Sequence, residues 1–320
     1  MDYPSVTIIT PVYNAVGYIR ETIESVLNQD YPNLEYIILN DGSTDDSCKI
    51  IQEYTGRARI FSHPNMGHPQ SVNKGFRLAK GDILSIVNAD DPLRPDSIKI
   101  LVQAMIDDPE IVAVYPDWDL IDNEGNIMQA IRGKDYDFAY MVNWHKCLPG
   151  PGVFFRKSVL DQVPGWNEEY RYVYDFEFWL RAGLVGLFKH VNQNLASFRW
   201  HKSSKSAGQQ GRWMAAEHVR LMRNFFDLPG VRQRAGLDRR QAMSSAYYIG
   251  GTVAGSDVWL KKYYYLRAYL LAPQFYQRPE EKDRADQIRF WLLEHSRNSL
   301  FEPVQKGFQK VRSLVRRLYK

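Results

Sequence analysis

Two cysteines in 320 residues, Cys48 and Cys147, are too few for a disulfide framework, and neither lies in a metal-ligand spacing. A reducing compartment, the cytoplasm, is therefore expected. No apolar run approaches the roughly 20 residues of a membrane-spanning helix. The opening Met1-Asp2-Tyr3-Pro4 passes at once into a strand pattern, so no secretory leader is expected. Two phosphate-binding fingerprints are also missing. No G-x-G-x-x-G follows the first strand pattern, and no G-x-x-x-x-G-K-[ST] occurs. A nucleotide here has to be held by base and ribose contacts plus metal.

Acid is absent from the last stretch. Residues 304–320 carry Lys306, Lys310, Arg312, Arg316, Arg317 and Lys320 and no Asp or Glu. The remaining 35 cations face 37 acids, so the body is nearly neutral. That distribution argues against a nucleic-acid-binding body and for a local anionic partner at the C-terminus. Val304, Phe308, Val311, Val315 and Leu318 recur at three or four residues between these cations. The pattern is a basic amphipathic helix, suited either to an anionic membrane surface or to packing on the body.

What is present is a 44% hydrophobic, 24% charged chain, the balance of a soluble globular protein. Apolar, β-branched runs alternate with helical spacing over the first 115 residues. Strands are expected at Ser5 to Pro11, Leu34 to Leu39, Arg59 to Phe61, Ile83 to Val87 and Ile111 to Tyr115. Helices are expected at 15–28, around Ile50-Ile51, at 69–79 and at 95–107. Strand and helix in alternation predict an α/β fold, a doubly wound and mainly parallel sheet. Short strands follow within Ile121 to Ile131 and at Val153-Phe154-Phe155, then a helix from Tyr174 and one or two strands over Leu187 to Trp200. From Gln210 the pattern is helical, with breaks at Pro229-Gly230, Gly250-Gly251, Pro273 and Pro279.

Three strand ends carry polar residues: Thr10-Pro11-Val12-Tyr13-Asn14, Asn40-Asp41-Gly42-Ser43 and Asn88-Ala89-Asp90-Asp91. In a parallel sheet they converge on one rim, where such sheets bind ligands. Asn88, Asp90 and Asp91 have the oxygens that Mg²⁺ or Mn²⁺ prefers, so this stretch reads as a metal–diphosphate site. A strand end with helix-capping Asp before Pro92 fits the same residues. Asp175 stands among Tyr172, Tyr174, Phe176, Phe178 and Trp179. Partial desolvation there would raise its pKa toward that of a base, although a helix N-terminal acid is the plainer alternative. His201 with Lys202 reads as a metal ligand or phosphate contact, or as an ordinary capping residue.

Taken jointly over residues 4–206, these motifs resemble the family 2 glycosyltransferases of the GT-A fold. Val6 to Asn14 is similar to that family's opening strand, Tyr36 to Asp45 to its second, and Asn88-Ala89-Asp90-Asp91 to its D-x-D region. Asn65-Met66-Gly67 and Asn73-Lys74-Gly75 are similar to the loop and helix before it. The resemblance implies a GT-A domain over 1–206, a helical region over 207–300 and a tail helix over 301–320. It implies an inverting transferase that moves a sugar from a UDP-linked donor to a glycan or lipid-linked acceptor, with Asp175 as base. Thr10, Pro11, Tyr13, Asn14, Asp41, Asn73, Asn88, Ala89 and Asp91 then fall to the nucleotide-sugar. Asp90 and His201 fall to a divalent metal, Mn²⁺ or Mg²⁺. A cytoplasmic protein, peripheral on the inner face of the membrane through 304–320, is expected. Three positions depart from the family pattern: Asn88 for the first Asp of D-x-D, Tyr174 for the Glu before the base, and Val72 where Arg is usual. Asn88 and Tyr174 favour one rival, a non-catalytic sugar-nucleotide-binding partner of another transferase. A nucleotidyltransferase is disfavoured, because Thr10 to Ala15 is not a Gly-rich cationic loop.

Overall fold

The computed structural model describes residues 3–201 and 211–293. The chain divides into two compact units, Met1–Gln209 and Gln210–Lys320. The tail 304–320 and Lys202 lie outside the described residues. Among those described, no helix is long and apolar enough to cross a membrane.

In the first unit β1 (Val6–Val12), β2 (Leu34–Asp41), β3 (Arg59–His63) and β4 (Ile83–Ile86) alternate with α1 (Ile19–Leu27), α2 (Ser47–Gln52) and α3 (His68–Leu78). Then come α4 (Ser97–Ile106), β5 (Ile111–Ile121), β6 (Ile127–Ile131), α5 (Phe138–Asn143), β7 (Phe154–Arg156), α6 (Val159–Gln162), α7 (Tyr174–Val185) and β8 (Leu187–Arg199). The sheet order is β3-β2-β1-β4-β7-β5-β6, with β8 paired to β5. β1 is parallel to both β2 and β4. β7 is antiparallel to both β4 and β5, so β5 runs with β4; β8 is parallel to β5. Strands β1, β2, β4, β5 and β8 therefore point one way, and their carboxyl ends form one rim. The predicted mainly parallel α/β sheet is present.

Helices cover both faces because the strands are apolar on both. Val6, Ile8, Val12, Tyr36 and Ile38 pack in one core with Ile19, Ile23 and Val26 of α1 and Ile98, Leu101 and Met105 of α4. On the other face α3 approaches β1 at Gly75, where a Cβ would come within 2.5 Å of Ile9 Cγ2. Only glycine permits that approach.

β5 is longer than its sequence suggests. Asp117 and Asp119 are poor strand residues, so a strand ending at Tyr115 is expected. The structure continues β5 to Ile121 because both acids are neutralised where they lie. Asp117 is fully buried and accepts from Arg132 Nη1 at 2.8 Å, Gly133 N at 2.7 Å and His190 Nε2 at 2.7 Å. Asp119 accepts from Arg94 and Asn194. The β5–β8 register shifts at Pro116 and Asp117, where proline has no N–H to give the ladder.

Burial alone would raise the Asp117 carboxyl, but Arg132, the Gly133 amide and His190 hold it below the ordinary aspartate value of 3.8. A carboxyl lowered in the folded state stabilises fully above the unfolded value and loses that contribution as pH falls through the folded one. Asp117→Asn is expected to cost about 2 kcal/mol at pH 7 and to flatten the acid limb below about pH 4. Guanidinium melts across pH 2.5–7 measure both.

The second unit holds α8 (Arg212–Phe226), α9 (Arg239–Thr252), α10 (Val258–Leu271) and α11 (Lys282–Leu293). Asp238 caps α9 through Arg240 N and Gln241 N, and Asp257 caps α10 through Leu260 N. Gly250-Gly251, expected as a break, lies inside α9. A Cβ on Gly250 would meet Tyr264 Cδ1 at 2.4 Å, and one on Gly251 would meet Tyr265 Cε1 at 2.7 Å. The pair admits two tyrosine rings of α10 against the α9 backbone, which offsets its weak helix propensity.

Candidate active site

At the end of β1, strand parity sorts the side chains. Thr10 shares the face of Val6 and Ile8, is fully buried, and its Oγ1 accepts the Tyr36 hydroxyl at 3.0 Å. Its side chain is engaged in the core. Pro11 is buried too, while Tyr13 is 52% exposed. Asn14 is exposed at φ 50°, a left-handed position that Asn tolerates. Its Oδ1 accepts from Thr44 N at 2.8 Å, tying β1 to the loop after β2.

Asp41 is buried at the end of β2. Its Oδ1 accepts from Met66 N at 2.7 Å and its Oδ2 from Gly67 N at 3.0 Å, with His63 Nδ1 3.4 Å from Oδ1. Asp41 thus fixes the Asn65-Met66-Gly67 turn beside the exposed Tyr13 rim.

Behind β4 the acidic stretch divides its labour. Asp91 is buried; its Oδ1 accepts from Arg199 N at 2.8 Å and its Oδ2 from Asn88 Nδ2 at 2.9 Å. Burial first, and the adjacent Asp90 carboxylate second, push the Asp91 carboxyl up to about 8, against the pull of those two donors. Asp91 is a brace, each of its oxygens accepting a donor from within the protein. Ala89 is buried, and its carbonyl accepts from Thr22 Oγ1 at 3.0 Å. Asp90 keeps a quarter of its side chain exposed, and its Oδ2 lies 2.9 Å from His201 Nε2. The His201 ring packs at 4.9 Å from Tyr18. β8 brings His201 here because it is parallel to β5 and ends on the same rim.

Arg199, 1% exposed, is the fastener. Its Nε donates to the Asp90 carbonyl at 3.1 Å and its Nη1 to the carbonyls of Asp122 at 2.8 Å and Asn123 at 3.0 Å. Its Nη2 pairs with Glu21, and its guanidinium lies over Tyr18 at 5.1 Å. Such a fork of donors satisfies several acceptors at once, as lysine could not.

Asp175 stands in the first turn of α7. Tyr174, Phe176, Phe178 and Trp179 are buried, but Asp175 itself is exposed, and its Oδ1 accepts from Phe176 N at 2.7 Å. Asp175 thus faces outward on α7 while its aromatic sequence neighbours are buried. Trp166 and Tyr174 stack at 4.7 Å, and His68 packs against both, at 5.4 Å and 5.3 Å. His68 Nε2 also lies 3.2 Å from Asn88 Oδ1. One imidazole thus joins the Asn88–Asp91 stretch to the foot of α7. No motif contains His68; its one sequence signal is its place directly after the Asn65-Met66-Gly67 turn. Asn73, expected at the nucleotide-sugar, spends its amide elsewhere. Its Nδ2 donates to Trp166 O and Glu168 Oε1, both at 2.9 Å, and its Oδ1 accepts from Trp166 N at 2.8 Å. It supports the site by fixing Trp166.

Asp90 and His201 offer one carboxylate and one imidazole on a single spot, a donor pair that suits Mn²⁺ or Mg²⁺. Among the described residues no three His, Cys, Asp or Glu side chains converge as a metal cage. The pair therefore fits a cation that takes its other ligands from phosphate oxygens and water.

Residues 7–163 match the family model for glycosyl transferase family 2. The chain is 31% identical over 198 residues to chondroitin synthase of Escherichia coli, covering 59% of this chain and 28% of that protein. It is 32% identical over 200 residues to hyaluronan synthase of Pasteurella multocida, covering 59% and 20%. A putative glycosyltransferase of Bacillus subtilis, EpsH, is 30% identical over 209 residues, covering 64% and 58%. The chain thus spans less than two thirds of each of these relatives. In fold it is similar to S. aureus TarS 1–349 in complex with UDP-GlcNAc, at 15% identity and a TM-score of 0.59 over 93% of both chains. A further structure of S. aureus TarS 1–349 gives a TM-score of 0.62 at 14% identity, over 93% of both chains.

Proposed function

We propose that the chain moves a sugar from a UDP-linked donor to a hydroxyl of a glycan or lipid-linked acceptor, with inversion at the anomeric carbon, because residues 7–163 match the family model for glycosyl transferase family 2. One observation carries this reading. The Asp90–His201 pair and the exposed Asp175 belong to one connected rim, joined through Asn88, His68 and Tyr174. The UDP-GlcNAc bound to TarS supports the choice of UDP.

Asp175 accepts the proton of the acceptor hydroxyl. That oxygen then forms a bond to the anomeric carbon on the face opposite UDP, and the bond from that carbon to the diphosphate oxygen breaks. The carboxylate needs no desolvation to serve as base if the acceptor closes over it, because its aromatic sequence neighbours are already buried. Asp90 and His201 would hold the divalent metal, which when bound offsets the charge of the departing diphosphate. Tyr13 offers an exposed ring to the base. Asp41, Asn73 and Asp91 act one step back, by fixing the 65–67 turn, Trp166 and Asn88. The tail 304–320 would hold the protein peripherally on an anionic membrane.

The test is UDP release from a panel of UDP-sugars with Mn²⁺, with and without glycan or lipid-linked acceptors. Acceptor-dependent release is expected for at least one donor. Donor binding without release under every acceptor would favour the non-catalytic partner, the reading that Asn88 and Tyr174 favour.

His68 supplies a second measurable expectation. His68→Phe keeps the stack with Trp166 and Tyr174 but loses the contact with Asn88. A single such polar contact is worth about 1 kcal/mol. The donor KM should rise about fivefold with kcat within twofold, read from steady-state UDP release.

A further inference from the structure

Helix α10 is apolar on two faces; among the described residues one is buried, and the other carries large side chains that stay half exposed or more. Tyr264, Tyr265 and Ala268 are buried on its inner side, with Tyr265 5.7 Å from Tyr248 of α9 and 6.3 Å from Trp291 of α11. On its outer side Trp259 is 63% exposed, Tyr263 52% and Leu270 50%. Spacings of four and seven residues set these three in one stripe along the helix, with half-buried Leu266 between them. The stripe is about 17 Å long at 1.5 Å per residue. Trp213, 74% exposed, stands in the first turn of α8, whose Arg212 lies 3.9 Å from Asp257, the cap of α10. The two most exposed tryptophans of the second unit therefore lie at adjoining helix starts.

Charge selects the occupant. α10 carries Lys261, Lys262 and Arg267 and no acid, and residues 211–293 hold fourteen cations against eight acids. Arg267 is exposed on the flank of the stripe. Lys262 runs its stem inward and brings its ammonium to 5.9 Å from the Trp259 ring. The tail 304–320 has the same sign as this helix, so it is a poor cover for it and shares its preference for an anionic partner. Tryptophan, tyrosine and leucine on one line, with Lys and Arg beside them and no acid, is the composition that seats at the headgroup level of a bilayer.

We propose that the outer face of α10, with Trp213 of α8, docks on an anionic lipid surface. The contact is separate from the tail and independent of the transferase reading. It adds a second, apolar hold to the electrostatic one, and two weak holds together give stable attachment where either alone does not.

The test uses the full chain and sedimentation with vesicles of phosphatidylglycerol and phosphatidylcholine, or of phosphatidylcholine alone. The wild type should partition onto the anionic vesicles only. Trp259→Ser with Leu270→Ser should weaken that partition about tenfold although the six tail cations are unchanged. Arg267→Glu should weaken it severalfold. These positions are exposed, so far-UV circular dichroism and thermal stabilisation by UDP are expected to stay at wild-type values; those readouts also separate this proposal from the transferase reading. Wild-type partition by the double variant, or no wild-type binding to anionic vesicles, overturns it. So does a concentration-dependent dimer by light scattering that the double variant abolishes, because the stripe then belongs to a second copy.

Discussion

Asp175→Asn should lower kcat for sugar transfer by about a thousandfold while donor affinity stays within twofold. The substitution keeps the shape and the acceptor oxygen that takes Phe176 N. It removes only the ability to hold a proton. A positioned general base contributes about 10²–10⁴ in rate. The stack of Trp166, Tyr174 and His68 does not depend on that carboxylate, so the donor rim is left intact. The measurement pairs acceptor-dependent UDP release with calorimetric titration of the donor. Activity within tenfold of wild type would show that another group takes the proton. Because Asp175 is exposed in the absence of substrate, the loss should be rescued in part by small carboxylates such as formate, which can reach the same position.

The second large effect lies at the other end of the rim. Asp90→Ala should reduce kcat/KM by about 10²–10³ and remove any gain in donor affinity from Mn²⁺. Asp90 is the one carboxylate of the acidic stretch with a side chain both exposed and paired with His201. Asp91 cannot replace it, because its oxygens are engaged by Arg199 N and Asn88 Nδ2. Removing the metal by chelation should therefore cost the wild type what the mutation costs, and should cost the variant little more. A variant that keeps wild-type metal dependence would sink the assignment. His201→Ala is the milder companion, since an imidazole lost from a shared site can be replaced by water.

Much of this rim was legible because parallel strands obey simple rules. β-Branched runs, intervening helical spacing and short connections specify β1, β2 and β4 side by side with their polar ends together. What was not legible follows from side-chain direction and from long-range neutralisation. Thr10 reads as a rim residue by position, yet alternation with Ile8 already puts it on the core face. The strand pattern stops at Tyr115, because nothing local announces the Arg132, His190 and Arg94 partners that let Asp117 and Asp119 sit in a strand. Asp175 was expected among aromatics because its sequence neighbours are aromatic; on a helix those neighbours turn inward while it faces out. His68 belongs to no motif, and its role exists only once α3 and α7 are brought together. Gly250-Gly251 looked like punctuation, and only the tyrosines of α10 explain it as packing.

Arg199 has a consequence for how the molecule comes to be. It sits 178 residues from Glu21 and 108 from Asp91, and it closes both contacts in one step. Contacts so distant along the chain form late, since the intervening loop entropy has to be overcome first. A nascent chain that has released β1 through β4 carries the acidic stretch, but Asp91 lacks its Arg199 amide and Asp90 lacks His201. On the proposed function, the donor site is therefore incomplete until β8 has docked, because both partners that β8 supplies arrive last.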